Sequence, residues 1–266
     1  MNNWRWIFSG QTDGATQMAI DRSILEHAVE LGRPTMRVYC WQPHCISIGY
    51  HQDEEVLDLK KCKESGIDVV RRPTGGRAVF HAEEVTYSVI IPKDYNLSVS
   101  SISEIYNLIS RGLARGIQKL GIPAELQKRS LNLHAHYKTS ESVSCFSAAA
   151  RHEVLVNGRK LIGSAQRRLV QGVLQHGSIL TGKKHLELSE LLSNIETDDR
   201  EQLKKTIESK TITIGDFLDI DIYTISDAIK EGIAKEVSVK FSDEKLSEQE
   251  VNKIPLFRDD FLILSN

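Results

Sequence analysis

None of the short signatures that would place this chain in the commonest enzyme classes is present. It has no G-x-x-x-x-G-K-[ST] phosphate loop, no G-x-S-x-G nucleophile elbow and no G-x-G-x-x-G dinucleotide fingerprint, so kinase, α/β-hydrolase and dehydrogenase readings lose their main support. No stretch approaches the ~18 consecutive apolar residues needed to span a bilayer. The opening MNNWRWIFSGQTDG lacks the basic start, apolar run and small-residue cleavage site of a secretory signal, and a cytoplasmic location is expected. There are 4 cysteines (Cys40, Cys45, Cys62 and Cys145), with no C-x-x-C pair among them. That spacing argues against a disulfide framework and leaves buried thiols or a nucleophile. A net charge of −2 gives no overall bias toward nucleic acid or a membrane surface, so any basic surface is local.

What is present is ordinary soluble-enzyme composition: 266 residues, 40% hydrophobic and 26% charged. This suffices for a single domain over 1–266, with about 210–266 as a mainly helical C-terminal portion. A first strand is expected at Trp4–Phe8. Asp13 then caps a helix to Leu31, whose Ala15, Met18, Ala19, Leu25, Ala28 and Val29 share a face. Strands follow at Met36–Trp41 and Cys45–Gly49, then a helix from Asp53 to Ser65. IDVVRR, AVFH and VTYSVIIP read as strands, the first two separated by the loop PTGGR. Ser101 and Glu104 have capping-box spacing and open a helix to Leu120. Asn157-Gly158 between HEVLV and RKLIGSAQRR is a hairpin signal, and VLQHGSIL reads as another strand. From Lys184 the pattern turns helical, with a solvated helix face near Thr197–Lys205, a late strand VSVKF, and a terminal helix with a short tail. Strands cluster early and do not alternate strictly with helices. The expected class is α+β, a mixed, largely antiparallel sheet flanked by helices.

Three segments carry candidate chemistry. In Arg71-Arg72-Pro73-Thr74-Gly75-Gly76-Arg77, paired glycines let the backbone approach a ligand, and three arginines supply positive charge. A tight turn with surface arginines explains the same letters. On a regular strand, Lys160, Ile162, Ser164 and Gln166 share one face, and Gly163 marks a close approach. A solvent-exposed lysine just past a turn is the plainer alternative. Cys145, in SVSCFSAAA, is either an inert buried thiol or a nucleophile, the latter requiring a neighbouring cation such as Lys160, His152 or His176. His134 and His136 have no acidic or thiol companions nearby, and no metal site is expected.

Read together, RRPTGGRAVFH, VTYSVIIP, NGRKLIGSAQRR and QHGSIL resemble, in order and interval, the biotin/lipoate A/B protein ligase family. The resemblance implies a fold related to biotin ligases and class II aminoacyl-tRNA synthetases. It also implies that Lys160 points at the acyl carbonyl or carboxylate. Arg72, Thr74, Gly75, Gly76 and Arg77 would line an acyl pocket with His81 nearby. Gly163, Ser164 and Ala165 would bind substrate, and Gln175, His176, Gly177 and Ser178 would help close the pocket. Ala82 stands where relatives commonly carry an acidic residue, followed here by Glu83 and Glu84.

Within the family, ligases activate free lipoate with ATP, whereas octanoyltransferases accept a thioester from acyl carrier protein. The loop reads Gly-Gly-Arg where ligases carry three glycines, and SCFSAAA resembles the loop of the ligase-like octanoyltransferase branch, in which the cysteine is acylated. Cys145 lies 15 positions before Lys160, as in that pattern. The implied enzyme needs no cofactor, ATP and Mg entering only if it is a ligase. Its implied donor is octanoyl-acyl carrier protein, and its acceptor the glycine cleavage H protein or a lipoyl domain of 2-oxoacid dehydrogenases. Amidotransfer between carrier proteins is a further alternative. Val69, Val70, Val79 and Tyr87 are expected to line the acyl tunnel, and Arg71, Arg72, Arg77, Arg167 and Arg168 to dock acidic carriers.

Overall fold

A computed structural model of the chain describes residues 2–99, 101–127 and 153–265. Alternating apolar residues make β1 (Asn2–Thr12), longer than Trp4–Phe8, and β2 (Thr35–Trp41). Between them α1 (Gly14–Leu31) starts where Asp13 accepts from the Thr16 N–H and stops at Gly32, whose φ of 69° releases the chain. Next come β3 (Cys45–Ile48), α2 (Leu59–Glu64), β4 (Asp68–Arg71), β5 (Val79–His81) and β6 (Glu84–Pro92). The expected helix from Asp53 to Ser65 is broken. A 3-10 turn at Glu54–Val56 ends where Leu57 bridges to Leu192, and Asp58 caps α2 afresh. Burying Leu57 outweighs helical continuity at this point.

Helix α3 (Ile102–Lys119) has the expected Ser101/Glu104 capping box. Then follow β7 (Ala124–Leu126), β8 (Val154–Val156), β9 (Arg159–Arg168) and β10 (Gly172–Leu180). Asn157 and Gly158 both have positive φ, 51° and 73°, as a tight β8–β9 turn requires. Helices α4 (Thr197–Lys210) and α5 (Ile222–Val237), strand β11 (Val239–Asp243), helix α6 (Glu248–Phe257) and strand β12 (Leu262–Leu264) complete the order. The segment expected as a tail is therefore partly strand, because its apolar Leu262 pairs with Val70.

Among the described residues, eight strands form a sheet in the order β11-β1-β2-β6-β10-β9-β8-β7, parallel only at β11–β1 and β1–β2. A second sheet runs β12-β4-β3-β5. The mixed, largely antiparallel α+β class is as expected. One face of the large sheet, through Val38, Val85, Tyr87, Val89 and Ile162, packs on α3 and α5. The opposite face meets α1 and, next to it, the second sheet. No described helix is long and apolar enough to cross a membrane.

Candidate active site

The pocket lies between the second sheet, the start of α1 and the face of the large sheet turned away from α3. Antiparallel register decides which side chains meet there. His176 pairs with Ala165 and Ser88, Ser178 with Gly163 and Thr86, and Thr86 with Tyr39. Alternation then points these residues to one side. The pocket holds about 440 Å³ of empty space, open mouth included, and is lined by Met18, Tyr39, Trp41 and Val79 together with polar groups. Gly163, Ser164, Ala165 and Gly177 are partly exposed and form its mouth, whereas Met18 and Tyr39 are buried at the far end. A Cβ on Gly177 would lie 2.5 Å from the Gly163 carbonyl, so only glycine lets the mouth strands come this close.

Arg72 is buried, and its guanidinium is spent on the protein. Nη1 donates to Ser47 O (2.8 Å) and Ser47 Oγ (3.1 Å), and Nη2 to Gly75 O (2.9 Å) and Arg77 O (2.7 Å). The planar fork thus folds the 72–77 loop onto β3. Two further side chains, His176 and Arg167, hold the same loop. Thr74 Oγ1 meets His176 Nε2 at 2.6 Å, Arg167 donates to Pro73 O at 2.8 Å, and the Arg167 guanidinium sits 3.9 Å over the Tyr50 ring. The loop backbone presses so closely on Gly49 that a Cβ there would stand 1.9 Å from Gly76 O. Burial, with Arg72 and His81 close by, pushes the His176 imidazole down to about 3, so it is neutral.

His81 is the centre of a second chain of contacts. Its Nε2 meets Ser47 Oγ (2.7 Å), its Nδ1 meets Glu84 Oε1 (3.0 Å), and its ring stacks on Trp41 at 4.2 Å. Thr86 donates to the same Glu84 oxygen and accepts from Trp41 Nε1 at 2.8 Å. Glu84 therefore supplies a carboxylate to His81 even though Ala82 follows the histidine. The Ser47–His81–Glu84 spacing is that of a hydrogen-bonded acid–base relay, but Ser47 Oγ also accepts from Arg72 and is buried, which makes the serine a positioning group. On this side of the sheet Ser178 Oγ and Glu84 Oε2 have no hydrogen-bond partner among the described residues, and on the other side neither has Gln166 Oε1.

Of the residues anticipated from sequence, Arg72, His81, Gly163, Ser164, Ala165, His176, Gly177 and Ser178 line the pocket. Thr74, Gly75, Gly76 and Arg77 do not; they form the pinned loop that shapes it. Gln175 lies on the α3 side of the sheet, bonded to Tyr87 and Gln166, because the register places it one residue out of phase with His176. Tyr87 is on that side too, its hydroxyl 2.7 Å from Ser164 Oγ. Val79 lines the tunnel as anticipated, while Val69 and Val70 belong to cores beneath the second sheet. Arg72 is no docking residue, being buried; Arg168 is exposed and Arg167 partly so.

Lys160 is neither exposed nor a lining residue. Its ammonium pairs with the buried Glu153 at 2.5 Å. A register shift between Val154 and Leu155 inserts one extra residue into β9, so Lys160 no longer alternates in phase with Ile162 as a regular strand would have it. Cys145, His134, His136 and His152 lie outside the described residues. Sequence reasoning missed Met18, Tyr39, Trp41, Ser47 and Thr86, all pocket-lining. The period-two pattern of β2 was legible, but which of its faces meets β6 follows only from long-range pairing.

The chain matches the model of the lipoyl protein ligase A/B catalytic domain over residues 13–234. It is 39% identical to Octanoyltransferase LipM of Clostridioides difficile (strain 630), covering 94% of this chain and 93% of that protein. Octanoyltransferase LipM of Kyrpidia tusciae is 34% identical, with 94% and 93% covered. Among solved structures, a lipoate-protein ligase A bound with ATP superposes with a TM-score of 0.77 at 22% identity, covering 97% of this chain and 95% of that one. A bi-partite lipoate protein ligase from Thermoplasma acidophilum, studied with its E2 lipoyl domain, gives 0.78 at 21% identity, covering 97% and 93%. These structural likenesses bear on the fold.

Proposed function

The chain belongs to the lipoyl protein ligase A/B catalytic domain family, and on that premise we propose that it is an octanoyl-[acyl carrier protein]:protein N-octanoyltransferase acting in protein lipoylation. One observation carries the reading. The pocket has an apolar closed end at Met18, Tyr39 and Trp41 and a mouth of small residues on β9, three positions along the chain from Lys160. That suits an uncharged linear acyl chain whose carbonyl is left at the mouth. Likeness to proteins named octanoyltransferase over nearly the whole chain supports the choice of acyl group.

In the proposed reaction, the Cys145 thiolate attacks the carbonyl of octanoyl-acyl carrier protein. The donor's carbon–sulfur bond breaks, the carrier leaves as its thiol, and an acyl-enzyme thioester remains. The amine of an acceptor lysine, on a glycine cleavage H protein or a lipoyl domain, then attacks. An amide forms, the Cys145 thiolate departs, and the amine's proton passes to a base. Lys160 stabilises negative charge on sulfur or on the carbonyl oxygen, with Glu153 holding its ammonium in place. Neither ATP nor a metal enters this scheme. Partly exposed Arg71, Arg77 and Arg167, with the exposed Arg168, supply positive charge for acidic carriers.

The test is intact mass after mixing the protein with octanoyl-acyl carrier protein in the absence of ATP and acceptor. A single octanoyl adduct, cleaved by hydroxylamine and missing from Cys145→Ala, is the expected result. No adduct, with lipoyl-adenylate formed once ATP and lipoate are supplied, would make the protein a ligase.

A further inference from the structure

The closed end of the pocket is built differently from its mouth, and the difference concerns acyl-chain length. Tyr39 is fully buried, and its ring lies 3.9 Å beneath the Arg37 guanidinium. Its hydroxyl reaches Asp21 Oδ2 at 3.2 Å. Asp21 also takes Arg37 Nη1 and Ser88 Oγ, each at 2.8 Å, and Arg37 Nε donates to Ser9 Oγ at 2.7 Å. Gln17, one residue before Met18, is clamped by Arg37 and by Cys40 O at 2.6 Å. A wall backed by a buried ion pair cannot recede without stranding charges, so it does not yield to a longer ligand. Met18, on the first turns of α1, stands beside Tyr39 with no polar anchor of its own.

We propose that Met18 and Tyr39 form a fixed end wall that sets the length of acyl chain the pocket accepts, Met18 being the adjustable part. This rests on the acyl-transfer reading above. The pocket crosses the large sheet from β9 through β10 and β6 to β2. Three strand spacings of about 4.8 Å make roughly 14 Å between the outer backbones. Allowing about 4 Å for contact with the wall leaves about 10 Å of depth. An extended chain advances about 1.2 Å per bond, one third of a residue's reach, so eight carbons need roughly 8 Å and twelve roughly 13 Å. Octanoyl fits and dodecanoyl does not.

The experiment measures two profiles across C6 to C14 chains for wild type, Met18→Ala and Met18→Phe. One is acyl transfer from the matching acyl carrier proteins. The other is binding of the free fatty acids, followed through the fluorescence of Trp41 in the pocket wall. In wild type, binding should strengthen about fourfold per methylene up to eight carbons and then break off. Met18→Ala should move the break to longer chains, raising the dodecanoyl-to-octanoyl ratio about tenfold, and Met18→Phe should move it toward hexanoyl. A wild-type profile still rising at dodecanoyl overturns the wall, as does an unchanged break point in variants that melt cooperatively. Fatty-acid binding that follows Met18 without any acyl transfer would refute the transfer reading and keep the wall. Octanoyl transfer indifferent to Met18 would do the reverse.

Discussion

The strands β6, β9 and β10 present two faces built from alternate residues of the same segments, and the faces obey different rules. Toward α3 and α5 they offer Val85, Val89, Ile162, Val173 and Ile179, all but dry and packed against Ile105, Ile109, Leu113 and Ile229. Toward the pocket, the same strands offer Thr86, Ser88, His176, Ser178, Gly163 and Ala165. The first face is packed hydrocarbon over most of its area, interrupted by the bonded group of Tyr87, Ser164, Gln166 and Gln175, and supplies stability by burial. The second leaves space and unused acceptors, which a chain selected only for stability would fill. The contrast is between a face that holds the sheet and one that holds a ligand, and single substitutions should separate the two.

Leu113→Ala on α3 should give the largest effect. It removes a fully buried side chain from the packed face, with an expected loss of about 2–5 kcal/mol in urea unfolding. Octanoyl transfer per folded molecule should be unchanged below the new midpoint. A fall in transfer without a loss of stability would mean that the two faces are not separable.

Arg72→Met on the pocket face should do the opposite. It removes the fork that ties Ser47 to Gly75 and Arg77, freeing the loop that shapes the pocket. Misplacement of order 1 Å costs about 10²-fold in rate, so kcat/KM should fall about 100-fold. Arg72→Lys should not restore it, because a single ammonium cannot reach all three carbonyls.

This residue also marks what the sequence could and could not disclose. Periodicity, caps and the Asn157-Gly158 turn made most elements legible, since those signals are local. The loop and the mouth strands were legible as motifs, with glycines at the right places for close approach. The roles within the motifs were not. Arg72 looked like a docking charge and is a buried clamp. Lys160 looked free or ligand-directed and is paired with Glu153 across a β-bulge. Glu84 takes the place beside His81 that Ala82 leaves without a carboxylate. The contacts of Arg72 with Ser47 and of Lys160 with Glu153 depend on how the strands pair, as does the whole β2 contribution from Tyr39 and Trp41, while Glu84 reaches His81 through the turn between β5 and β6. Residue types and spacing along one chain do not contain that pairing.

His176 offers a gentler probe of the pocket face. Its imidazole is neutral in the folded protein, held down to about 3, while in the unfolded chain it titrates near its ordinary 6.5. Below that value the unfolded state binds the extra proton, so stability is full above pH 6.5 and declines as the pH falls toward 3. Between pH 6.5 and 5 the loss from this group alone should be about 2 kcal/mol. The buried His185 shifts in the same direction. The measurement is therefore the difference in slope between wild type and His176→Gln in denaturant titrations at several pH values. Equal slopes would place His176 in contact with water.

The smallest expected effect discriminates most sharply. Ser178 is buried, lines the pocket, and its Oγ has no partner among the described residues. An unsatisfied buried hydroxyl costs stability, so Ser178→Ala should leave the protein as stable or up to about 1 kcal/mol more stable. On the packed face, trimming a side chain only costs. If the hydroxyl is kept for the substrate, the same variant should bind octanoate more weakly and transfer octanoyl severalfold more slowly, in single-turnover assays against matched unfolding curves. Gain in stability with loss of transfer is the signature of a face shaped for a ligand. Loss of both would show that Ser178 is bonded within the fold, and the division between the two faces would then fail at the residue where it is drawn most finely.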